Sequence, residues 1–111
     1  MESRVVPAGA VIGFFGHAVA DMVEKVREFE NEVLQLIPLH GGQVLFRGIR
    51  SDGEDAGLPV EFHVIWFPSE EALAAYVADS RRVELIARHG DVFTSKVSVR
   101  LDSTVIPEVQ I

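Results

Sequence analysis

Glu61 and His63 are the only ionisable side chains in the apolar run EFHVIWF, residues 61–67. Two positions apart on a strand, they point to the same face and can touch. A carboxylate beside an imidazole orients the ring and supports its positive charge, which suits a general acid or base. Arg47, on the strand predicted to precede this one in a hairpin, is placed to join them and to supply a cation for an anionic group. The same three residues also make sense as an ion-pair network that fixes the register between two subunits, with no chemistry at all.

Trp66, the only tryptophan, lies three positions from His63. An odd spacing sends the two to opposite sides of a regular strand, so they share a pocket only if a bulge intervenes. Trp66, Phe62, Phe46 and Tyr76 form a second candidate set, an aromatic pocket between sheet and helices that would hold a ring. Plain core packing accounts for the same residue types. Tyr76 stands apart because its hydroxyl needs a polar partner when buried. Arg88, in the last turn of a predicted helix, would either reach a ligand anion at the pocket mouth or cap carbonyls. His17, at the end of the first predicted strand, joins the binding set. The four histidines (17, 40, 63 and 89) show no zinc-ligand spacing, and there is no cysteine. No metal site is therefore expected. The chain lacks a Walker loop, a G-x-G-x-x-G fingerprint and a G-x-S-x-G elbow. No cofactor is expected.

The elements that must position these groups are legible in the pattern. GAVIGFFGH (9–17) reads as a strand loosened by two glycines. A helix follows, with Asp21 as its cap and Glu24 three residues on. Met22, Val26, Phe29, Val33 and Leu36 or Ile37 form its apolar stripe. Glu24, Lys25, Arg27, Glu28, Asn31 and Glu32 form its wet face. Pro38 and Gly41-Gly42 end it. QVLFRGIR (43–50) is a second strand, residues 51–59 a loop, and VEFHVIWFP (60–68) a third strand. Ser69 caps a helix over 70–78, with Leu73, Tyr76 and Val77 inward. Residues 79–90 make a second short helix capped by Ser80 and stopped by Gly90. DVFTSKVSVRL (91–101) is the fourth strand, and 102–111 a tail. The order β-α-β-β-α-β is that of the ferredoxin-like split βαβ unit, an α+β fold with helices on one face of an antiparallel sheet.

Parity then sorts the strand residues. Val60, Phe62, Val64 and Trp66, with Phe93, Ser95, Val97, Val99 and Leu101, are the more apolar set and are expected to face the helices. Glu61, His63, Ile65 and Phe67, with Val92, Thr94, Lys96, Ser98 and Arg100, are expected on the open face. A second copy of the sheet would pack there as a homodimer.

The totals exclude several classes. With 10 Lys and Arg against 17 Asp and Glu, the net charge is −7. Nucleic acid and anionic membrane surfaces, which require clustered basic groups, are not expected partners. The 111 residues are read as one domain, 1–101, plus the tail. VVPAGAVIGFFGHAVA, after Arg4, loosely mimics a secretory leader, but Glu2, the glycines and a proline argue against one. A transmembrane helix is not expected. The absence of cysteine fits a reducing cytoplasm.

Two motifs carry a resemblance. Gly41–Gly48 fits a GG-x-hydrophobic-hydrophobic-x-RG second strand, and Phe67–Ala75 a strand ending in FPS before an Ala-rich helix. On these the chain, over roughly residues 9–101, resembles the dimeric α+β barrel superfamily, closest to its short bacterial families without an assigned reaction. The superfamily pairs two ferredoxin-like sheets into a barrel. It includes cofactor-free antibiotic-biosynthesis monooxygenases, haem-degrading monooxygenases, lactone isomerases and stress-responsive proteins. Some of the cofactor-free oxygenases place an Asn four residues before a strand Trp, where this chain has Phe62. The expected function is binding or transforming a small apolar or aromatic metabolite, by proton-transfer isomerisation or cyclisation or by cofactor-free oxygenation. His63 would act as acid or base, Glu61 would orient it, and Arg47 or Arg88 would hold an enolate or carboxylate. A non-catalytic stress or scaffold dimer would instead show a tightly packed core without a ligand-sized cavity. A haem-handling monooxygenase is a third reading.

Overall fold

The computed structural model describes residues 8–51 and 58–102. The tail beyond 102, most of the 51–59 loop and the first seven residues lie outside the described residues. Strand β1 (Ala10–Ala18) leads through a turn to helix α1 (Val23–Val33), which continues as a 3-10 segment, Leu34–His40. Strand β2 (Gln43–Ile49) and strand β3 (Glu61–Phe67) form the hairpin. Helices α2 (Glu70–Ala78) and α3 (Ser80–His89) follow, then a 3-10 turn, Gly90–Val92, and strand β4 (Phe93–Leu101). The sheet runs β2-β3-β1-β4 with every neighbouring pair antiparallel. This is the ferredoxin-like α+β arrangement that the element order predicts.

Local chemistry explains most boundaries. Ser69 Oγ accepts from Ala72 N at 3.0 Å and starts α2, as expected. Helix α3 is capped by Asp79, not Ser80: its carboxylate accepts from Arg81 N at 2.8 Å, and Ser80 is already helical. Asp21 does not cap α1. Met22 N donates to Val19 O at 2.9 Å, closing a turn in which Asp21 takes φ 65, a left-handed conformation that Asp tolerates. Met22 occupies the cap position without a side-chain bond. The Gly41-Gly42 pair has two separate causes. Gly41 sits at φ 74, and a Cβ on Gly42 would stand 2.7 Å from Ile37 Cγ2 and 2.8 Å from Phe67 Cε1.

The two sheet faces are the reverse of the parity expectation. Glu61, His63, Ile65 and Phe67 are all buried under the helices, while Phe62, Val64 and Trp66 are only half-buried on the open side. Ile12 and Phe14 of β1 pair with Ile65 and His63, and Phe14 also pairs with Ser98, so Lys96, Ser98 and Arg100 share the helix side. Val97, Val99 and Leu101 fall on the open side and are about 40 % exposed (42, 40 and 42 %). The inversion has a physical reason. Glu61 and His63 are buried on the helix side in a hydrogen-bonded network, so polarity does not mark the outward face. Phe93 escapes the parity rule because the register shifts between His17 and Ala18, which returns it to the core.

The helices meet that side through two apolar clusters, a larger one centred on Phe29, Val33, Ile37, Ile65, Phe67 and Tyr76 and a smaller one of Val26, Val60 and Val92. Phe67 and Ile37 are almost wholly excluded from water, each worth about 1.5–3 kcal/mol of transfer free energy. Among the described residues no helix is long and apolar enough to cross a membrane.

Candidate functional site

Strand β3 delivers Glu61 and His63 to the helix side, and the β2 register decides what meets them. Between Val44 and Phe46 the β2–β3 pairing shifts by one residue, so Leu45 has no partner. Beyond this bulge Arg47 lies directly across from His63 and Phe46 across from Val64. Arg47 Nε donates to Glu61 Oε1 at 2.8 Å and its Nη2 to Oε2 at 3.0 Å, a two-pronged pair. Its Nη1 also donates to Asn31 Oδ1 at 2.7 Å, which ties β2 to α1. His63 Nε2 and Glu61 Oε1 are 2.7 Å apart, and both residues are buried. With the carboxylate accepting, Nε2 carries the proton and Nδ1 is left with a lone pair. The Phe14 ring stacks on the imidazole, centroids 5.2 Å apart, and fixes its plane.

His63 Nδ1 looks toward Glu30 Oε2, 3.9 Å away. Glu30 comes from α1 and is 3 % exposed. Burial pushes its carboxyl up to about 7; His63 opposes that rise, nearby Glu61 adds to it, and Arg47 and Lys96 oppose it. Glu61 behaves in the opposite way. Burial alone would raise its pKa, but the hydrogen bonds from His63 and Arg47 outweigh this and hold it below its ordinary value. Two buried carboxyls flank one imidazole, and their environments push them apart. That is the usual signature of a proton donor and a charge stabiliser.

Glu30 and His63 line a cavity of about 280 Å³ between sheet and helices. Its walls are largely apolar, with Phe14, Ile65 and Phe67 from the sheet and Phe29, Leu73, Tyr76 and Ile86 from the helices. Burial raises the Tyr76 hydroxyl pKa, and the Arg82 guanidinium, 5.1 Å over the ring, works against that rise. Glu61 and Arg47 do not line the cavity. They stand behind His63.

The structure thus brings together His63, Glu61, Arg47 and Tyr76. The other candidates fall elsewhere. Phe62 stacks on Phe15 at 5.5 Å and meets Phe46 at 5.3 Å, on the open face. Trp66 pairs with Val11 and shares that face. The aromatic pocket between sheet and helices therefore contains Tyr76 but not Trp66, Phe62 or Phe46. Arg88 is exposed, 3.9 Å from Glu84 one helical turn earlier, and does not reach the cavity. It lies on the outward stripe of α3, whereas Arg82 lies on the inward one, three and four residues before Leu85 and Ile86. His17 pairs with Ser95 and continues the Phe15 side, so it too is outside the cavity.

Glu30 is the site residue that the sequence reading missed. A signal existed: Glu30 is four residues after Val26 and three before Val33, inside the apolar stripe. An acid in that stripe is either solvated by bending away or buried for a reason. Among the described residues no group of three His, Cys, Asp or Glu is arranged to hold a metal ion.

No protein-family model matches the chain, and no curated protein matches it significantly. Solved structures do. A protein from Lactobacillus acidophilus NCFM, provisionally assigned as a monooxygenase, superposes with a TM-score of 0.70 at 15% identity over 94% of this chain. The chain spans only 49% of that protein's length. An antibiotic biosynthesis monooxygenase gives a TM-score of 0.62 at 17% identity, covering 87% of this chain and 99% of its own. A NIPSNAP family protein from Agrobacterium tumefaciens gives 0.63 at 13% identity, covering 85% and 91%. All share the ferredoxin-like α+β fold, in keeping with the resemblance carried by the sequence motifs. At these identities the likeness is one of fold.

Proposed function

We propose that this is a small-molecule domain whose cavity binds an apolar or aromatic metabolite and moves a proton on it. The observation that carries this reading is a buried chain, Arg47–Glu61–His63, ending beside Glu30 at the wall of an apolar cavity. The cavity, about 280 Å³, lies at the small end of the ligand-pocket range of about 300–1,000 Å³. A close-packed scaffold dimer would have no such space.

The geometry suits isomerisation or cyclisation through an enol. His63 Nδ1, free of partners within hydrogen-bond reach among the described residues, takes a proton from a carbon beside a carbonyl. Glu30, near half-protonated at neutral pH, gives its proton to the carbonyl oxygen as the enol forms. The imidazolium that results is stabilised by Glu61, kept ionised by Arg47. His63 then returns its proton to a different carbon while the enol hydroxyl gives its proton back to Glu30, which completes the isomerisation and resets both groups. Arg47 thus positions Glu61 and does not touch the enolate, unlike the role its sequence position suggests.

Haem does not fit these residues. The cavity is small for a macrocycle, and His63 Nε2 is already engaged by Glu61.

The open sheet face supports a homodimer. Phe15, Phe46, Phe62, Val64 and Val97 form a broad apolar surface on it, with Phe46 52 % exposed. An apolar face of this breadth normally meets a partner, and a second copy matches it in shape and chemistry. We also read the protein as cytoplasmic, since it has no cysteine.

The test is solvent deuterium incorporation. A panel of small aromatic ketones, lactones and β-keto acids is incubated with the protein in D₂O and followed by proton NMR. The expected result is exchange at the carbon next to the carbonyl, lost in His63→Gln and Glu30→Gln. Ligands that bind in the cavity without any exchange would refute the catalytic reading.

A further inference from the structure

The lining of the cavity has a charge that the chain as a whole does not predict. Acids outnumber bases 17 to 10 overall, yet the cavity is lined by three cations, Arg82, Lys96 and Arg100, and one acid, Glu30. Arg100 is already engaged, with Nη1 donating to Glu70 at 2.6 Å. Among the described residues the other two form no ion pair, although the Arg82 side chain also acts on the Tyr76 hydroxyl by hydrogen bonding. Arg82 lies 5.1 Å over the Tyr76 ring and Lys96 5.4 Å over the Phe93 ring. A ring contact holds a cation in place while N–H donors not otherwise engaged can still reach a ligand.

Arg82 shows the point most directly. Its Nη1 donates to Val77 O at 3.2 Å, but Nε is shielded from solvent with no acceptor among the described residues. A covered donor left unpaired is costly, and an anion in the cavity would remove that cost. Ser98, between Lys96 and Arg100 on the same strand face, adds a hydroxyl to this wall. At about 30 Å³ for each water in the liquid, 280 Å³ is the space of about nine water-sized heavy atoms. That is one ring and one small polar group.

We infer that the ligand is a single-ring aromatic carboxylic acid, bound with its carboxylate on Arg82 and Lys96 and its ring against Phe14, Phe29 and Tyr76. This rests on the cavity being a ligand site, as proposed above, and adds the charge and size of the ligand. A guanidinium and an ammonium held on rings form a pre-set receptor for such an anion.

The test is calorimetric titration at pH 7 with benzoate and its neutral isostere benzamide, on the wild-type chain and on Arg82→Gln and Lys96→Gln. Lys96 is exposed, so its variant is expected to fold even if Arg82→Gln does not; thermal unfolding checks both. Losing a hydrogen-bonded charge pair predicts that benzoate binds about tenfold or more tightly than benzamide in the wild type. Either substitution should bring that ratio close to one, with benzamide affinity unchanged. Equal binding of the two compounds by the wild type overturns this inference and leaves the ligand-site reading standing. A preference that survives in both variants also overturns it. Binding of neither compound overturns the ligand-site reading along with it.

Discussion

Glu30→Gln tests whether a carboxyl is poised at the cavity wall. Burial raises the Glu30 pKa from 4.5 to about 7 in the folded chain. Between those values the folded chain keeps a proton that the unfolded chain has released. The contribution of this group to stability is therefore full below about pH 4.5 and is lost as pH rises through about 7. The difference of about 2.5 units, at roughly 1.36 kcal/mol each, makes the ionised form cost about 3 kcal/mol by pH 8. Glutamine keeps the shape and the neutral charge at every pH. Relative to the wild type, Glu30→Gln should gain about 3 kcal/mol between pH 4 and pH 8, or about 12 °C in Tm for a domain of this size. Any constant offset from the amide's own hydrogen bonds cancels in that comparison. Urea unfolding of both proteins at the two pH values measures it. A gap that stays constant within about 0.5 kcal/mol would mean that Glu30 is ionised at neutral pH like any surface acid, and the acid–base assignment would fail.

Glu61 predicts the opposite limb. Its lowered pKa gives stability that is present above pH 4.5 and lost as pH falls below it, so Glu61→Gln should flatten the acid side of the stability–pH curve. Arg47→Met leaves Glu61 buried without its two-pronged partner and should cost about 3 kcal/mol in urea unfolding. Gly42→Ala places a methyl against Ile37 and Phe67 and should cost about 1–3 kcal/mol, with the fold otherwise intact by circular dichroism. Val64→Asp, on the open face, should convert a sedimenting dimer to a monomer and leave the cavity side undisturbed; an unchanged sedimentation coefficient would place the subunit contact elsewhere.

The element order and the Ser69 cap were legible in the chain, whereas the caps read at Asp21 and Ser80 were not. Ser69 announces α2, and the two adjacent glycines announce the end of the α1 region, because both act through backbone geometry that the residue type controls. The pairing of Glu61 with His63, and their separation from Trp66, followed from strand periodicity alone. The choice of face did not. Periodicity says which residues share a side but not which side the helices cover, and the usual guide, polarity, failed because Glu30 from α1 and Arg47 from β2 make the polar side buriable. Glu30 joins His63 across 33 positions of sequence, a contact that only the packing of α1 on β3 creates. The Leu45 bulge also escaped the pattern, since nothing in QVLFRGI marks one residue as unpaired. Arg82 and Arg88 are alike by type, and only the rotation of α3 against the sheet separates the cavity cation from the solvent one.

The location of a bound ligand tests the whole account most directly. A crystal structure, or isotope-filtered NMR contacts, with any single-ring aromatic compound that binds should place its ring against Phe14, Phe29 and Tyr76, with His63 and Glu30 at its reactive end. A ring found instead on the open face, against Phe62 and Trp66, would show that the buried acid–base chain is structural and that the site lies on the other side of the sheet.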